Sequence, residues 1–151
     1  MELMIKEIRH FGISVKNIEK ALKFYHDLLG LEIMREMDEH GNYIDNMLNL
    51  KNVKVKTVKL SCNGKGTIVE LLEFKSHKSE IVSREIFDFG ASHIAFTVEN
   101  IEKTYKYLLN NGVKFNAIPQ TSPDGYAKVT FCFDPDGTPV ELVEVMDSVK
   151  K

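Results

Sequence analysis

The sequence repeats itself, and this repeat constrains the fold more than any other feature. The segment HFGISVKNIEK begins at His10 and HIAFTVENIEK begins at His93, so His, Val and NIEK recur 83 positions apart. A second pair of segments, TIVELLEF from Thr67 and TPVELVEV from Thr138, shares Thr, Val, Glu, Leu and Glu 71 positions apart. Such self-similarity indicates a duplicated structural unit. We therefore expect two modules of like fold, each with one His on an early segment and one Glu on a late segment.

The length of 151 residues suits one compact domain with a substantial core. No Pro, Gly or Ser tract between the copies resembles a flexible linker. The sequence thus predicts a single domain over residues 1–151 with internal duplication: module 1 at about 5–75, a connector at about 76–90 and module 2 at about 91–146.

Charge and composition point to a small-molecule partner. The net charge is −2, and Lys and Glu are scattered, so no basic face favours nucleic acid or anionic lipid. No apolar run approaches the roughly 20 residues of a membrane span, and the first segment does not resemble a signal peptide. We expect a cytoplasmic protein. The two cysteines, Cys62 and Cys132, lie far apart and are expected to be free thiols.

Hydrophobic periodicity predicts the order βαβββ in each half. Around each repeated His, small or polar residues alternate with large apolar ones, which is typical of a strand with one open face. Asn17 and Asn100 are placed as helix N-caps, with Gly30 and Gly112 at the ends of the two helical patterns. Strands are predicted at 31–36, 53–61 and 66–74, and again at 113–118, 127–133 and 138–145. The expected fold is α+β, with two tandem βαβββ modules forming a curved, cup-like mixed sheet.

The repeated glutamates favour a metal site within this sheet. Glu70 and Glu141 each lie between apolar residues in a predicted strand, where a carboxylate is costly unless a cation satisfies it. If the modules pack about a pseudo-twofold axis, His10, Glu70, His93 and Glu141 can converge on one divalent metal. Nitrogen and oxygen donors of this kind suit Ni, Co, Zn, Mn or Fe, and an octahedral ion would keep two positions open for substrate. The alternative is that each His is an ordinary core histidine and each Glu a solvated strand residue.

These residues also carry a resemblance to a known family. The strand His, the segment VKNIEKALKFYHDLLG, the later ELLE, the second HIAFTV and the final DPDGTPVEL are similar to the pattern of the vicinal oxygen chelate superfamily. Its members include glyoxalase I, methylmalonyl-CoA epimerase, extradiol dioxygenases and fosfomycin or bleomycin resistance proteins. The resemblance covers nearly the whole chain. It implies that the four metal ligands are His10, Glu70, His93 and Glu141, and that the protein is a homodimer.

The resemblance also implies a choice among chemistries. Ring-cleaving dioxygenases of this family use two His and one carboxylate, whereas four ligands favour redox-neutral chemistry of the glyoxalase I type. The expected activity is that of a lyase or isomerase which moves a proton next to a metal-chelated carbonyl of a small 2-oxo thiol adduct or thioester. Glu141 is expected to act as the mobile base, with Glu70 as the more constant ligand or the base on the opposite face. Epimerase, dioxygenase and antibiotic-binding functions stay open as alternatives.

Other residues are weaker candidates. The Arg that helps bind glutathione in bacterial nickel-type glyoxalase I has no counterpart in the stretch 11–14, so the resemblance does not extend to that thiol. Arg84 could anchor an anionic substrate, although a surface Arg explains it better. Tyr126 and Lys128 follow the turn SPDG and could line a pocket or belong to an ordinary loop. Segment 43–50 could be a flap or a short helix.

Overall fold

The computed structural model describes residues 4–80 and 84–146, and the chain divides into two compact units, Met1–Glu80 and Ile81–Lys151. Each unit contains one copy of the repeat, and we call these copies the first and the second module. Part of the expected connector, 81–83, lies outside the described residues. None of the helices in the described residues has the length and apolar character needed to cross a membrane.

The first module is a four-stranded mixed sheet with helices in its connections. In chain order its elements are β1 (His10–Ser14), α1 (Ile18–Leu22), a π-helical segment (Lys23–Leu28), β2 (Glu32–His40), α2 (Asn42–Leu48), β3 (Lys54–Cys62) and β4 (Lys65–Phe74). The strand order is β1-β4-β3-β2. Strand β1 runs parallel to β4, and the other neighbouring strands are antiparallel. The two ends of the βαβββ unit are therefore adjacent in the sheet.

The second module repeats this topology. Its elements are β5 (Ile94–Thr97), α3 (Ile101–Asn110), β6 (Gln120–Thr121), β7 (Ala127–Phe133) and β8 (Pro139–Val145). The strand order β5-β8-β7-β6 corresponds position by position to that of the first module, and β5 is again parallel to β8. The predicted α+β class with paired βαβββ modules is confirmed, with one four-stranded sheet in each module.

Matching caps start and end the repeated helices. The side chains of Asn17 and Asn100 accept hydrogen bonds from backbone N–H groups three residues later, both at 2.9 Å. An Asn at this position satisfies a helix donor that would otherwise have no partner. Gly30 and Gly112 adopt left-handed backbone conformations, with φ of 78° and 82°, just after the helical segments. Glycine adopts this conformation at no steric cost and commonly ends helices, so both predicted helix boundaries are confirmed.

The core of each module lies between its helix and one face of its sheet. The largest fully buried side chains come from these layers: Tyr25, Leu60, Leu71, Ile101, Leu108 and Leu142. Complete burial of a Leu or Ile side chain is worth about 1.5–3 kcal/mol relative to exposure. Because side chains alternate along a strand, residues 70 and 141 lie on the opposite sheet faces from these core residues.

Helix α2 gives the first module a second, smaller core. Ile44 packs with Val53 and Val55 and contacts the partly buried Leu72 and Phe74. Leu72 and Phe74 share the face of β4 that carries residue 70, so α2 covers one end of that face. Segment 43–50 thus forms a short helix, one of the two structures that the sequence allowed.

The predicted strand at 113–118 is wrong. Phe115 makes an isolated bridge with Cys132, and the regular strand is only Gln120–Thr121. The hydroxyl of Thr130 donates to the carbonyl of Ala117 at 2.7 Å and occupies an acceptor that a ladder would use. Pro119 has no N–H to donate, so the ladder is interrupted before β6.

Candidate functional site

The first module brings His10 and Glu70 together on the open face of its sheet. The parallel pairing of β1 with β4 places Gly12 beside Glu70, and His10 lies one pleat earlier on the same face. His10 Nε2 is 3.9 Å from Glu70 Oε1. Glu70 is the more enclosed of the two side chains, with 13% exposure against 38% for His10. Because Gly12 has no side chain, nothing from that position covers the carboxylate of Glu70.

The second module brings His93 and Glu141 together in the same way. Ala95 of β5 lies beside Glu141 of β8, and His93 directly precedes β5. His93 Nε2 is 3.1 Å from Glu141 Oε2, a distance at which the imidazole N–H donates to the carboxylate. The ring of Phe131 contacts the His93 ring edge to face, with centroids 5.1 Å apart. Each module therefore places its own His beside its own Glu.

The donor atoms of both pairs suit a divalent transition metal. Two donors bound to one ion at about 2.1 Å lie roughly 3.0 Å apart at an octahedral right angle and roughly 3.4 Å apart in a tetrahedron. The His93–Glu141 spacing of 3.1 Å matches this range. The His10–Glu70 spacing of 3.9 Å is wider and must close by roughly 0.5–0.9 Å to fit it. Within the described ranges 4–80 and 84–146, no three His, Cys, Asp or Glu side chains form a metal-binding group, so the donors occur as pairs.

A lysine that sequence reasoning missed contacts the first pair. Lys59 of β3 lies directly opposite Glu70, and its Nζ is 3.6 Å from Glu70 Oε2. The cation that was expected to satisfy this half-buried carboxylate is therefore supplied in part by an ammonium group of the chain itself. The corresponding position opposite Glu141 is Phe131, so the two pairs have different surroundings.

The second Glu of each repeated segment has a structural role that was also missed. Glu73 accepts a hydrogen bond from the backbone N–H of Ile18 at 2.9 Å, and Glu144 accepts one from Ile101 at 2.8 Å. Each carboxylate thereby ties the last strand of its module to the start of the helix, where negative charge is favourable. The signal was present in the sequence, because these glutamates recur at the same 71-residue offset as Glu70 and Glu141.

Burial and hydrogen bonding act in opposite directions on Glu73. Burial favours its neutral form, but the bonds from Lys75 Nζ and from the Ile18 N–H outweigh burial, and the pKa of Glu73 lies below its usual value. The Lys75 contact measures 2.6 Å to Oε1. Glu73 is thus a buried carboxylate that bonds to the helix start, whereas Glu70, three residues earlier, lies beside His10 and Lys59 on the other sheet face.

The weaker candidates occupy ordinary positions. Arg84 is exposed in the connector, and Tyr126 is 47% exposed at a loop tip. Lys128 donates to Glu102 of α3.

Both cysteines are free thiols as predicted, and desolvation on burial raises the pKa of Cys132 to about 12.

Comparison with known proteins assigns the family. The model of the Glyoxalase/Bleomycin resistance protein/Dioxygenase superfamily matches residues 7–142, which include both His–Glu pairs. The chain belongs to this superfamily. The resemblance inferred from the sequence is therefore confirmed.

Individual relatives of the chain in this superfamily include both uncharacterised proteins and enzymes. The chain is 31% identical over 144 residues to the uncharacterised protein YwkD of Bacillus subtilis (strain 168). This alignment covers 94% of the chain and 99% of YwkD. It is 29% identical over 152 residues to a lactoylglutathione lyase of Schizosaccharomyces pombe, covering 96% of the chain but only 49% of that enzyme. A glyoxalase family protein from Bacillus cereus has the same fold, with a TM-score of 0.84, 17% identity and 97% coverage of each chain.

Proposed function

We propose that this protein is a metal-dependent lyase or isomerase of the glyoxalase I type. Its reaction moves a proton at the carbon next to the carbonyl of a small 2-oxo thiol adduct or a thioester. The observation that carries this proposal is the occurrence of two His–Glu pairs at corresponding positions of the repeat, with donor spacings of 3.1 and 3.9 Å. Each pair places one nitrogen and one oxygen donor on the partly exposed sheet face that lies opposite the core.

The proposed metal ligands are His10, Glu70, His93 and Glu141, acting together on one Ni, Co, Zn, Mn or Fe ion in the divalent state. The bound ion would supply Lewis acidity to the carbonyl oxygen of the substrate. The chain's own contribution is to hold carboxylates beside the reacting carbon, where a positioned base typically adds 10²- to 10⁴-fold to the rate.

The two glutamates differ in how firmly their surroundings hold them. Glu70 is 13% exposed and lies between His10 and Lys59, which favours a constant position. Glu141 is 22% exposed, and His93 is its one hydrogen-bond partner among the described side chains. We therefore assign Glu141 as the base, which takes the proton from one carbon of the substrate and returns it to the adjacent carbon. Glu70 is the constant ligand or the base on the opposite face.

The thiol substrate, the oligomeric state and the cellular location are the remaining parts of the proposed function. The S. pombe relative is named as a lactoylglutathione lyase, but the chain spans about half of its length, so its substrate is not carried over. The thiol substrate is left open, since nothing in the stretch Phe11–Ser14 supplies the glutathione-binding Arg. We propose a homodimer in the cytoplasm.

A metal-supplemented activity assay tests the proposal. Metal-free protein is reconstituted separately with Ni²⁺, Co²⁺, Zn²⁺, Mn²⁺ and Fe²⁺ and assayed with methylglyoxal and several low-molecular-weight thiols. Saturable isomerisation that requires the metal and is lost in Glu141→Gln, with metal still bound, supports the proposal. Near-wild-type turnover in Glu141→Gln excludes that residue as the base. Tight binding of a metal-chelating antibiotic without any turnover would contradict the enzymatic function.

A further inference from the structure

Lys59 makes the first His–Glu pair different from the second. Its ammonium lies 3.6 Å from Glu70 Oε2, while His10 lies 3.9 Å from Glu70 Oε1. One oxygen of the Glu70 carboxylate thus faces the imidazole of His10, and the other faces the ammonium group of Lys59. The Lys59 side chain is only 24% exposed, so its attraction to Glu70 is less screened than that of a surface ion pair.

Two further charged residues, Arg35 and Glu39 of β2, lie on the same sheet face as Lys59. Arg35 of β2 lies directly opposite Lys59 and makes no ion pair within the described part of the chain. Glu39, two pleats further along β2, accepts a hydrogen bond from the Thr57 hydroxyl at 2.7 Å. A divalent ion that approaches Glu70 therefore meets the ammonium group of Lys59, which repels it.

The second module lacks this arrangement. Phe131 takes the position opposite Glu141, and its ring packs against His93 rather than against the carboxylate. No Lys or Arg among the described residues forms an ion pair with Glu141. The 3.1 Å spacing of this pair already matches two ligands of one ion, so metal binding there requires less rearrangement.

From these differences we propose that Lys59 competes with the metal for Glu70, because its ammonium group holds Oε2 and leaves Oε1, beside His10, to contact the ion. This inference rests on the proposed metal-dependent function and assigns Lys59 as a positioning residue. Lys59 holds Glu70 in place in the metal-free protein and, for the same reason, lowers the affinity of the site for the metal.

The test is the affinity of the metal-free, full-length protein for Co²⁺, measured by isothermal titration at constant pH. Replacement of Lys59 by Met removes the charge and keeps the length of the side chain, and we expect Co²⁺ to bind at least about 10-fold more tightly. Phe131→Lys introduces the same competitor into the second module and should weaken binding by about 10-fold, whereas Phe131→Met controls for loss of the ring.

Lys56→Met is the matched control. Lys56 lies on the same strand but on the opposite face, where it pairs with Glu36 at 3.1 Å, and its replacement should leave the Co²⁺ affinity unchanged. An unchanged or weaker affinity in Lys59→Met, with normal binding by the wild type, would overturn the role of Lys59 and leave the proposed function intact. Absence of Co²⁺ binding by the wild type would instead overturn the proposed function itself.

Discussion

The replacement Glu73→Gln tests how each module joins its helix to its sheet. Glu73 is 6% exposed and accepts hydrogen bonds from the Ile18 N–H at 2.9 Å and from Lys75 Nζ at 2.6 Å. Gln has the same shape and can still accept the bond from Ile18, but it carries no charge. The variant therefore removes the charge at the helix start and the ion pair while leaving the packing in place.

The magnitude follows from these two contacts. A hydrogen bond to a charged acceptor is worth about 1 kcal/mol more than one to a neutral acceptor, and a carboxylate at a helix start adds about 0.3–1 kcal/mol. With a partial contribution from the half-exposed Lys75, we expect Glu73→Gln to lower the free energy of unfolding by about 2 kcal/mol at pH 7. Glu144→Gln should cost about 1 kcal/mol, because Met146 stands where the first module has Lys75.

Urea unfolding at a series of pH values measures both effects. Since folding lowers the pKa of Glu73, its charge stabilises the fold above the usual value of 4.5, and this stability is lost as the pH falls through the lowered pKa. The difference between wild type and Glu73→Gln should therefore be largest near pH 7 and shrink below pH 4.5. Glu36→Gln, in the exposed pair with Lys56, serves as the control and should show no such change. Equal stabilities at pH 7, or a difference that persists unchanged into acid, would refute this reasoning.

Two further predictions concern the helix caps and the cysteines. Asn17→Ala and Asn100→Ala should each lower the free energy of unfolding by about 1 kcal/mol, because each removes one capping hydrogen bond. Urea titration measures this loss, and a loss near zero in both variants would contradict the capping role. Iodoacetamide should modify the exposed Cys62 in the folded protein and leave the buried Cys132 unmodified until urea is added, as read by mass spectrometry; rapid labelling of Cys132 in the native state would contradict its raised pKa and burial.

The repeat made most of the fold predictable because both copies satisfy the same local requirements. Asn17 and Asn100 cap helices, Gly30 and Gly112 end them, and apolar alternation marks the strands that follow. These features act within a few residues, so the sequence alone reveals them. The exception was segment 113–118, which forms no regular strand. The Thr130 hydroxyl bonds to the Ala117 carbonyl there, and Pro119 has no N–H to donate, and hydrophobic periodicity reveals neither effect.

The surroundings of the His–Glu pairs could not be predicted because they depend on strand register. A regular hairpin continued from the pairing of Cys62 with Lys65 would place Thr57 opposite Glu70. The irregularity between Leu60 and Cys62 shifts the register and places Lys59 there instead. One displaced pairing thus decides whether a hydroxyl or an ammonium faces the carboxylate. The pairing of each His with the Glu of its own module comes from the parallel contact between the first and last strands, which the sequence analysis did not predict.

The most direct test of the central claim is the stoichiometry and affinity of metal binding in the wild type and in four single variants. Titration of metal-free protein with Co²⁺ should show one ion per chain, and His10→Ala, Glu70→Ala, His93→Ala and Glu141→Ala should each weaken that ion's binding by at least about 10-fold. His77→Ala, in an exposed loop, should leave it unchanged. Two independent ions per chain, with the variants of one module affecting only one of them, would contradict a single metal shared by all four ligands.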